Sequence, residues 1–101
     1  MQTKKVLITD YVHPSMPAKL EAMGFTVDYQ RDYQSQNLMS DLPTLSGIVI
    51  NSKTKMLAEQ IAIADQLEFI ARLGSGLEII DQVAAKEKGI AVLNSPEGNR
   101  N

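Results

Sequence analysis

The chain has 101 residues, of which 44% are hydrophobic and 22% charged. Ten Lys and Arg residues against twelve Asp and Glu residues give a net charge of −2, so binding to a nucleic acid through bulk electrostatics is not favoured. No cysteine and a single histidine exclude disulfides, thiolate zinc sites and a histidine-rich metal site, and no apolar run reaches the ~18 residues of a membrane span. We therefore expect a single cytoplasmic domain with no nucleic-acid partner, no membrane partner and no metal.

The first thirty residues predict two strands with a helix between them. Residues 6–9 are a short apolar, partly β-branched run that is typical of a strand buried on both faces. A helix follows, with Ser15 as its predicted N-cap, Pro17 in its first turn and Gly24 at the position that ends it. Residues 25–29 alternate apolar and polar side chains, which predicts a second, more exposed strand.

The next stretch, residues 30–46, is the least regular part of the chain. Apolar side chains within 38–42 indicate a short helix, which Ser35 or Asn37 can cap and Pro43 ends.

The remainder of the chain repeats the alternation of strand and helix. In chain order the predicted elements are a strand at 47–50, a helix at 57–64, a strand at 67–71, a helix that Asp81 caps and Gly89 ends, a strand at 90–93 and a turn at 94–99. Strands that alternate with helices in this way form βαβ units with right-handed crossovers. The sequence therefore predicts an α/β fold on a parallel sheet.

In an open parallel sheet, ligands bind beyond the carboxyl ends of the strands. The sharpest candidate there follows the fourth predicted strand and consists of Arg72, Leu73, Gly74, Ser75 and Gly76. Two glycines two residues apart let the backbone approach a ligand and turn its N–H groups toward an anion. Arg72 can pair with a carboxylate or phosphate through two hydrogen bonds. An ordinary tight turn with Arg72 on the surface is the alternative, and the sequence alone leaves both open.

The two glycines do not begin a dinucleotide-binding fingerprint. The third glycine of G-x-G-x-x-G would fall at Ile79, whose side chain prevents close packing of helix on strand. The following helix is also predicted to start only at Asp81, too late for its N-terminus to hold a pyrophosphate.

A second candidate loop, residues 51–55, follows the third predicted strand. Ser52 or Thr54 can cap the helix that begins near Met56, which is a purely structural role. Alternatively, the loop amides and Lys53 face an anion in the same cleft. No Ser–His–Asp set, recognisable carboxylate pair or phosphate-binding P-loop is visible in the sequence, so no catalytic residue is predicted.

Two motifs run through the C-terminal third of the chain. The pattern R-x-G-x-G-x-x-x-I/V-D occurs at Arg72, Gly74, Gly76, Ile80 and Asp81. The pattern A-x-x-x-G-I-x-V-x-N-x-P-x-G-N follows at Ala85, Gly89, Ile90, Val92, Asn94, Pro96, Gly98 and Asn99. With these motifs the chain resembles the D-isomer-specific 2-hydroxyacid dehydrogenases, especially their phosphoglycerate dehydrogenase-like members. Residues 6–10 and 47–54 resemble the same family's first and third strands, so the resemblance covers nearly the whole chain.

The resemblance implies a flavodoxin-like substrate-binding domain over residues 1–95, followed at 96–101 by the start of an interdomain hinge. Its sheet has five parallel strands in the order 2-1-3-4-5, with helices on both faces. The ligand is a small 2-hydroxy or 2-oxo acid, whose carboxylate is bound by the amides of the glycine-rich loop. The residues implied in substrate binding are Asn51, Ser52, Lys53, Arg72, Leu73, Gly74, Ser75 and Gly76.

NAD is the cofactor of the family that the chain resembles. The NAD-binding domain is absent from these residues, and so are the Arg, Glu and His that assist hydride transfer in the family, so we expect no cofactor in this chain and an inactive fragment. The alternative is a stand-alone flavodoxin-like module that binds small anions or a partner. Four helices also leave part of the sheet uncovered, because the family's returning helix is missing. We therefore expect a homo-oligomer, a dimer or larger, formed through that face or a rearrangement of the residues after Pro96.

Overall fold

The computed structural model describes residues 4–10, 12, 14–30, 32–51, 54–73 and 78–94. Its strands are β1 (Lys5–Ile8), β2 (Thr26–Tyr29), β3 (Gly47–Ile50), β4 (Phe69–Arg72) and β5 (Ala91–Asn94). They form one five-stranded sheet in the order β2-β1-β3-β4-β5, and every neighbouring pair is parallel. The predicted α/β fold and its strand order are confirmed.

Four α-helices connect the strands, as the sequence predicts. They are α1 (Ser15–Ala22), α2 (Leu38–Asp41), α3 (Ala58–Ile63) and α4 (Gln82–Glu87). Gly24 and Gly89 follow α1 and α4 with φ angles of +101° and +75°, a left-handed backbone that glycine adopts without strain. The two predicted helix ends at these glycines are therefore confirmed.

Several predicted caps are wrong. Ser15 is the first residue of α1 rather than its N-cap, and Pro14, which precedes it, has no side-chain group to cap with. The helix predicted from residue 57 begins at Ala58, and the Leu57 amide donates 2.9 Å to the Gln60 side chain, not to Thr54. Ser52, the other candidate cap, lies outside the described residues.

The cap of α4 is confirmed. The Asp81 carboxylate accepts a hydrogen bond of 3.0 Å from the Ala84 amide, which places Asp81 at the N-cap as predicted.

The irregular stretch before β3 is held by a buried tyrosine that the sequence pattern did not single out. Tyr33 is 4% exposed, and its hydroxyl donates 2.6 Å to the Asp41 carboxylate at the end of α2. Burial, and then this hydrogen bond, raise the pKa of Tyr33. Pro43 does not end the segment, because it lies inside a 3₁₀ turn, Leu42–Thr44, that continues α2. Asn37 precedes α2 but makes no side-chain capping bond.

Two apolar clusters cover the two faces of the sheet. The larger cluster packs Leu7, Ile48 and Ile70 against the side chains that α2, α3 and α4 turn toward the sheet. The smaller one packs Val6 and Ile8 against α1. Consecutive side chains of a strand point to opposite faces, so β1 serves both clusters. Helices therefore lie on both faces, three on one and one on the other.

The face with the single helix is open beside α1. α1 contacts β2, and none of the helices in the described part of the chain covers the half of the sheet toward β5 on this face. A groove of about 380 Å³ lies there, between the α1 side chains Leu20 and Met23 and the strand side chains Phe69, Ala71 and Leu93. Met23 and Leu93 are 71% and 53% exposed. Among the described residues, an apolar patch therefore lies beside α1; the sequence predicted an uncovered part of the sheet without locating it.

Among the described residues, none of the helices has the length and apolar character needed to cross a bilayer.

Candidate functional site

The candidate site lies where β3 and β4 end side by side. The ladder pairs Ile50 with Arg72, and the Leu73 amide donates 2.9 Å to the Ile50 carbonyl. The two loops that the sequence singles out therefore leave the sheet next to each other, at its C-terminal edge.

Arg72 joins the starts of these two loops. Its side chain is folded into the protein, with 8% of the residue exposed, so the alternative of a surface arginine is wrong. Nη1 donates to the Asn51 main-chain carbonyl and lies 3.4 Å from Asn51 Oδ1. The side chain of Asn94, which ends β5 rather than lying in a turn, donates to the Arg72 carbonyl at 3.5 Å. A guanidinium charge is thus fixed at the edge of the sheet beside both candidate loops.

The same two loops are joined again at their far ends. The Met56 amide donates 2.8 Å to the Ile79 carbonyl, and the Asp81 amide donates 2.9 Å to the Met56 carbonyl. These bonds form a short parallel bridge between Met56 and Ile80. The two loops are therefore joined at two points, one at their starts and one at their ends.

The predicted site residues fall into two groups. Asn51, Arg72 and Leu73 are brought together at the first junction. Leu73 is 8% exposed and packs in the smaller apolar cluster, and its amide is already engaged by Ile50. It therefore anchors the start of the glycine-rich loop. The remaining candidates, Ser52, Lys53, Gly74, Ser75 and Gly76, lie outside the described residues.

The sequence analysis missed a pair of buried hydroxyls next to this site. Thr54 Oγ1 donates 3.1 Å to Thr9 Oγ1, although the two residues are 45 positions apart in the chain. Thr9 is 0% exposed and Thr54 1% exposed. The only sequence feature that could have indicated a buried hydroxyl at Thr9 is its place directly after an apolar strand. Thr54 was considered only as a helix cap.

The residues present do not fit a dinucleotide. Ile79 packs against the larger apolar cluster at the position where a third glycine is required, and α4 begins only at Gln82. Among the described residues, no three His, Asp or Glu side chains converge as metal ligands would. Ile79 and the start of α4 therefore confirm that the two glycines do not begin a dinucleotide-binding fingerprint.

Comparisons with a family model and with curated proteins both point to 2-hydroxyacid dehydrogenases. Residues 6–101 match the catalytic domain of D-isomer specific 2-hydroxyacid dehydrogenase. The chain is 34% identical over 96 residues to D-3-phosphoglycerate dehydrogenase from Homo sapiens, an alignment that covers 95% of this chain and 18% of the relative. It is 44% identical over 63 residues to hydroxypyruvate reductase from Thermotoga maritima, covering 62% of this chain and 21% of the relative.

Solved structures show the same fold. The NAD⁺-bound 3-phosphoglycerate dehydrogenase of Entamoeba histolytica superposes with a TM-score of 0.77 at 21% identity, covering 92% of this chain and 33% of that one. The chain thus spans about a fifth of the curated relatives that it matches and a third of this solved structure.

Proposed function

We propose a function that follows from the family, since this chain belongs to the D-isomer specific 2-hydroxyacid dehydrogenases. In this proposal, residues 1–95 form the substrate-binding domain of an NAD-dependent oxidoreductase. The enzyme acts on the CH–OH group of a small 2-hydroxy acid and resembles phosphoglycerate dehydrogenase. The observation that carries the proposal is the pair of loops after β3 and β4, joined at both ends with the Arg72 guanidinium at their base.

In this proposal the acid binds between the two loops. The amides of Gly74, Ser75 and Gly76 hold its carboxylate, because glycines allow N–H groups to converge on an anion. Arg72 supplies a fixed positive charge and Leu73 anchors the loop. The neighbouring loop contributes Asn51, Ser52 and Lys53 on the substrate side.

The hydride chemistry belongs to residues outside this chain. When bound, NAD is the hydride acceptor. It is held by another part of the enzyme, because Ile79 and the late start of α4 do not fit a dinucleotide here. Residues 96–101 begin the hinge that leads to that part. A cytoplasmic location accords with a sequence that contains no cysteine for disulfides.

Binding of a 2-hydroxy acid tests this proposal. We expect D-glycerate to shift the amide NMR signals of Asn51, Arg72 and Leu73, with a Kd in the millimolar range, about −4 kcal/mol, because only one side of the full cleft is available. 3-Hydroxypropionate, which differs from D-glycerate only in lacking the 2-hydroxyl, should bind more weakly.

Gly74→Val is the decisive variant for that experiment. A Cβ at this position obstructs the close backbone approach, so the shifts should disappear. Ala62→Val, at an exposed position of α3 on the opposite face of the sheet, is the matched control and should bind as the unchanged chain does. Shifts that persist in Gly74→Val, or that map to another part of the sheet, would contradict the proposed site.

We also propose that the chain self-associates through the groove beside α1. We take its occupant to be a second copy of this chain, because a two-fold dimer brings the same surface of both copies together and could pack α1 of each copy into the groove of the other. Residues 95–101, Ser-Pro-Glu-Gly-Asn-Arg-Asn, contain no large apolar side chain that could fill the groove. Each Å² of apolar surface that the second copy removes from water contributes about 25 cal/mol, before the costs of association.

Sedimentation at micromolar concentration tests the association. We expect a dimer or larger species that Leu93→Asp converts to a monomer, since the variant places a charge in the groove. Val83→Asp is the control, because Val83 is 68% exposed on α4, which packs on the opposite face. A monomer of 11.1 kDa for the unchanged chain, or an oligomer that Leu93→Asp leaves intact, would overturn this interface.

A further inference from the structure

Hydrogen bonds join the end of β1 to β3 and to the loop after β3 at the switch point of this sheet. The strand order reverses direction between β1 and β3, and open α/β sheets commonly bind ligands at that switch point. Here the Thr9 amide donates 3.1 Å to the Val49 carbonyl, and the Thr9 hydroxyl lies 3.4 Å from the same oxygen. Thr54 Oγ1 then donates 3.1 Å to Thr9 Oγ1. The end of β1 is thereby joined to the loop after β3.

These two hydroxyls are in an unusual environment for polar groups. Thr9 and Thr54 are almost fully buried beside the strand residues Ile8 and Ile50. A valine has nearly the same shape and carries no polar atom, whereas a buried hydroxyl costs free energy unless it is hydrogen-bonded. What threonine adds over valine at residue 54 is a directional bond that fixes one loop relative to one strand.

Thr54 occupies the middle of the loop that carries half of the candidate site. The loop is held at its start by Arg72 on Asn51, and at its end by the bridge from Met56 to Ile80. The bond from Thr54 to Thr9 is a third attachment, between the other two. Lys53 is joined to Thr54 by a peptide bond, so the position of Thr54 limits where Lys53 can lie.

We propose that Thr54 is a positioning residue: its hydrogen bond to Thr9 sets the height of the β3–α3 loop above the sheet and so the affinity for the acid. This inference rests on the proposed function, because the affinity concerned is that of the 2-hydroxy acid. Thr54 does not touch the acid and acts through the loop residues that flank it.

Three variants separate positioning from a merely structural role. Thr54→Val keeps the shape and removes the bond, and it should raise the Kd for D-glycerate about three- to tenfold, the effect of one lost hydrogen bond. Thr54→Ser keeps the hydroxyl and should restore the Kd to within about twofold of the unchanged chain. Thr44→Val is the matched control, since the Thr44 hydroxyl donates 3.1 Å to the Asp41 carbonyl far from the site, and it should leave the Kd unchanged.

The same bond can be removed from the strand side. Thr9→Val should weaken binding at least as much as Thr54→Val, since it removes the bond to Thr54 and also the 3.4 Å contact of the Thr9 hydroxyl with the Val49 carbonyl. The double variant should be no worse than Thr9→Val alone, because the bond between the two hydroxyls is already lost in either single variant. Should Thr54→Val fail to fold, Thr9→Val carries the same test.

The outcomes distinguish this inference from the proposed function. If the unchanged chain binds D-glycerate at the two loops and the folded Thr54→Val variant binds it equally well, the positioning role is wrong and the proposed function stands. A folded Thr54→Ser variant that binds as poorly as Thr54→Val would also overturn the positioning role. If the unchanged chain binds no 2-hydroxy acid, the proposed function fails and this inference fails with it.

Discussion

The purified 101-residue chain should catalyse no measurable reduction of a 2-oxo acid by NADH. Hydride transfer requires a nicotinamide held against the substrate and a proton donor beside it. The sequence has no G-x-G-x-x-G motif, and the partly buried side chain of Ile79 packs against the core where the last glycine of that motif would be needed. We therefore expect a turnover below a thousandth of the ~10 s⁻¹ typical of enzymes.

Loss of NADH absorbance with hydroxypyruvate or glyoxylate measures this activity. The Gly74→Val variant, purified in the same way, is the control for contaminating dehydrogenases, since a contaminant gives the same rate in both preparations. A turnover above ~10⁻² s⁻¹ that Gly74→Val abolishes would contradict the account, because this chain would then bind NADH and supply the proton itself.

Replacing Arg72 with alanine should give the largest loss of stability among the site variants. The guanidinium donates to the Asn51 carbonyl in a region where little water can replace it, and its stem fills buried space. We expect the free energy of unfolding to fall by about 2–3 kcal/mol, the range of a charge-assisted hydrogen bond with an acceptor left unpaired. The affinity for D-glycerate should fall at least about tenfold, because the fixed charge and the junction of the two loops are lost together.

Urea denaturation of matched variants isolates the guanidinium. Arg72→Lys keeps the charge but lacks the planar fork, so it should recover only part of the stability. Lys86→Ala removes an exposed cation on α4 and should change the free energy of unfolding by less than about 0.5 kcal/mol. An Arg72→Ala variant as stable as Lys86→Ala would show that this guanidinium does not hold the two loops together.

Most of the fold was predictable because local sequence patterns indicate its strands and helices. Short apolar runs such as 47–50 lie between helical segments that end at Gly24 and Gly89, and such alternation leaves few topologies other than a parallel sheet. The strand order came from the family resemblance and could not have been obtained from periodicity. Helix caps were less predictable, although Ser15 and Thr54 are good capping residues by type. Ser15 lies inside α1, and the Thr54 hydroxyl bonds Thr9, just after β1.

The candidate site was predictable in part for the same reason. Glycine spacing and a preceding arginine marked the loop after β4 within the sequence itself. The burial of Arg72 and its contact with Asn51, 21 residues earlier in the chain, could not be predicted. Both depend on the register of β3 with β4, which no local pattern specifies. The hydrogen bond between Thr9 and Thr54 joins residues that are even farther apart in the sequence, 45 positions. A threonine after an apolar run is too common a feature to predict this bond.

The most direct test of the account is a crystal structure of the chain soaked in a D-2-hydroxy acid. The account predicts the carboxylate at the amides of Gly74–Gly76, with Arg72 or Lys53 beside it and the Thr9–Thr54 hydrogen bond intact. Ligand density elsewhere, such as between the ends of β1 and β3 with the glycine-rich loop empty, would contradict it.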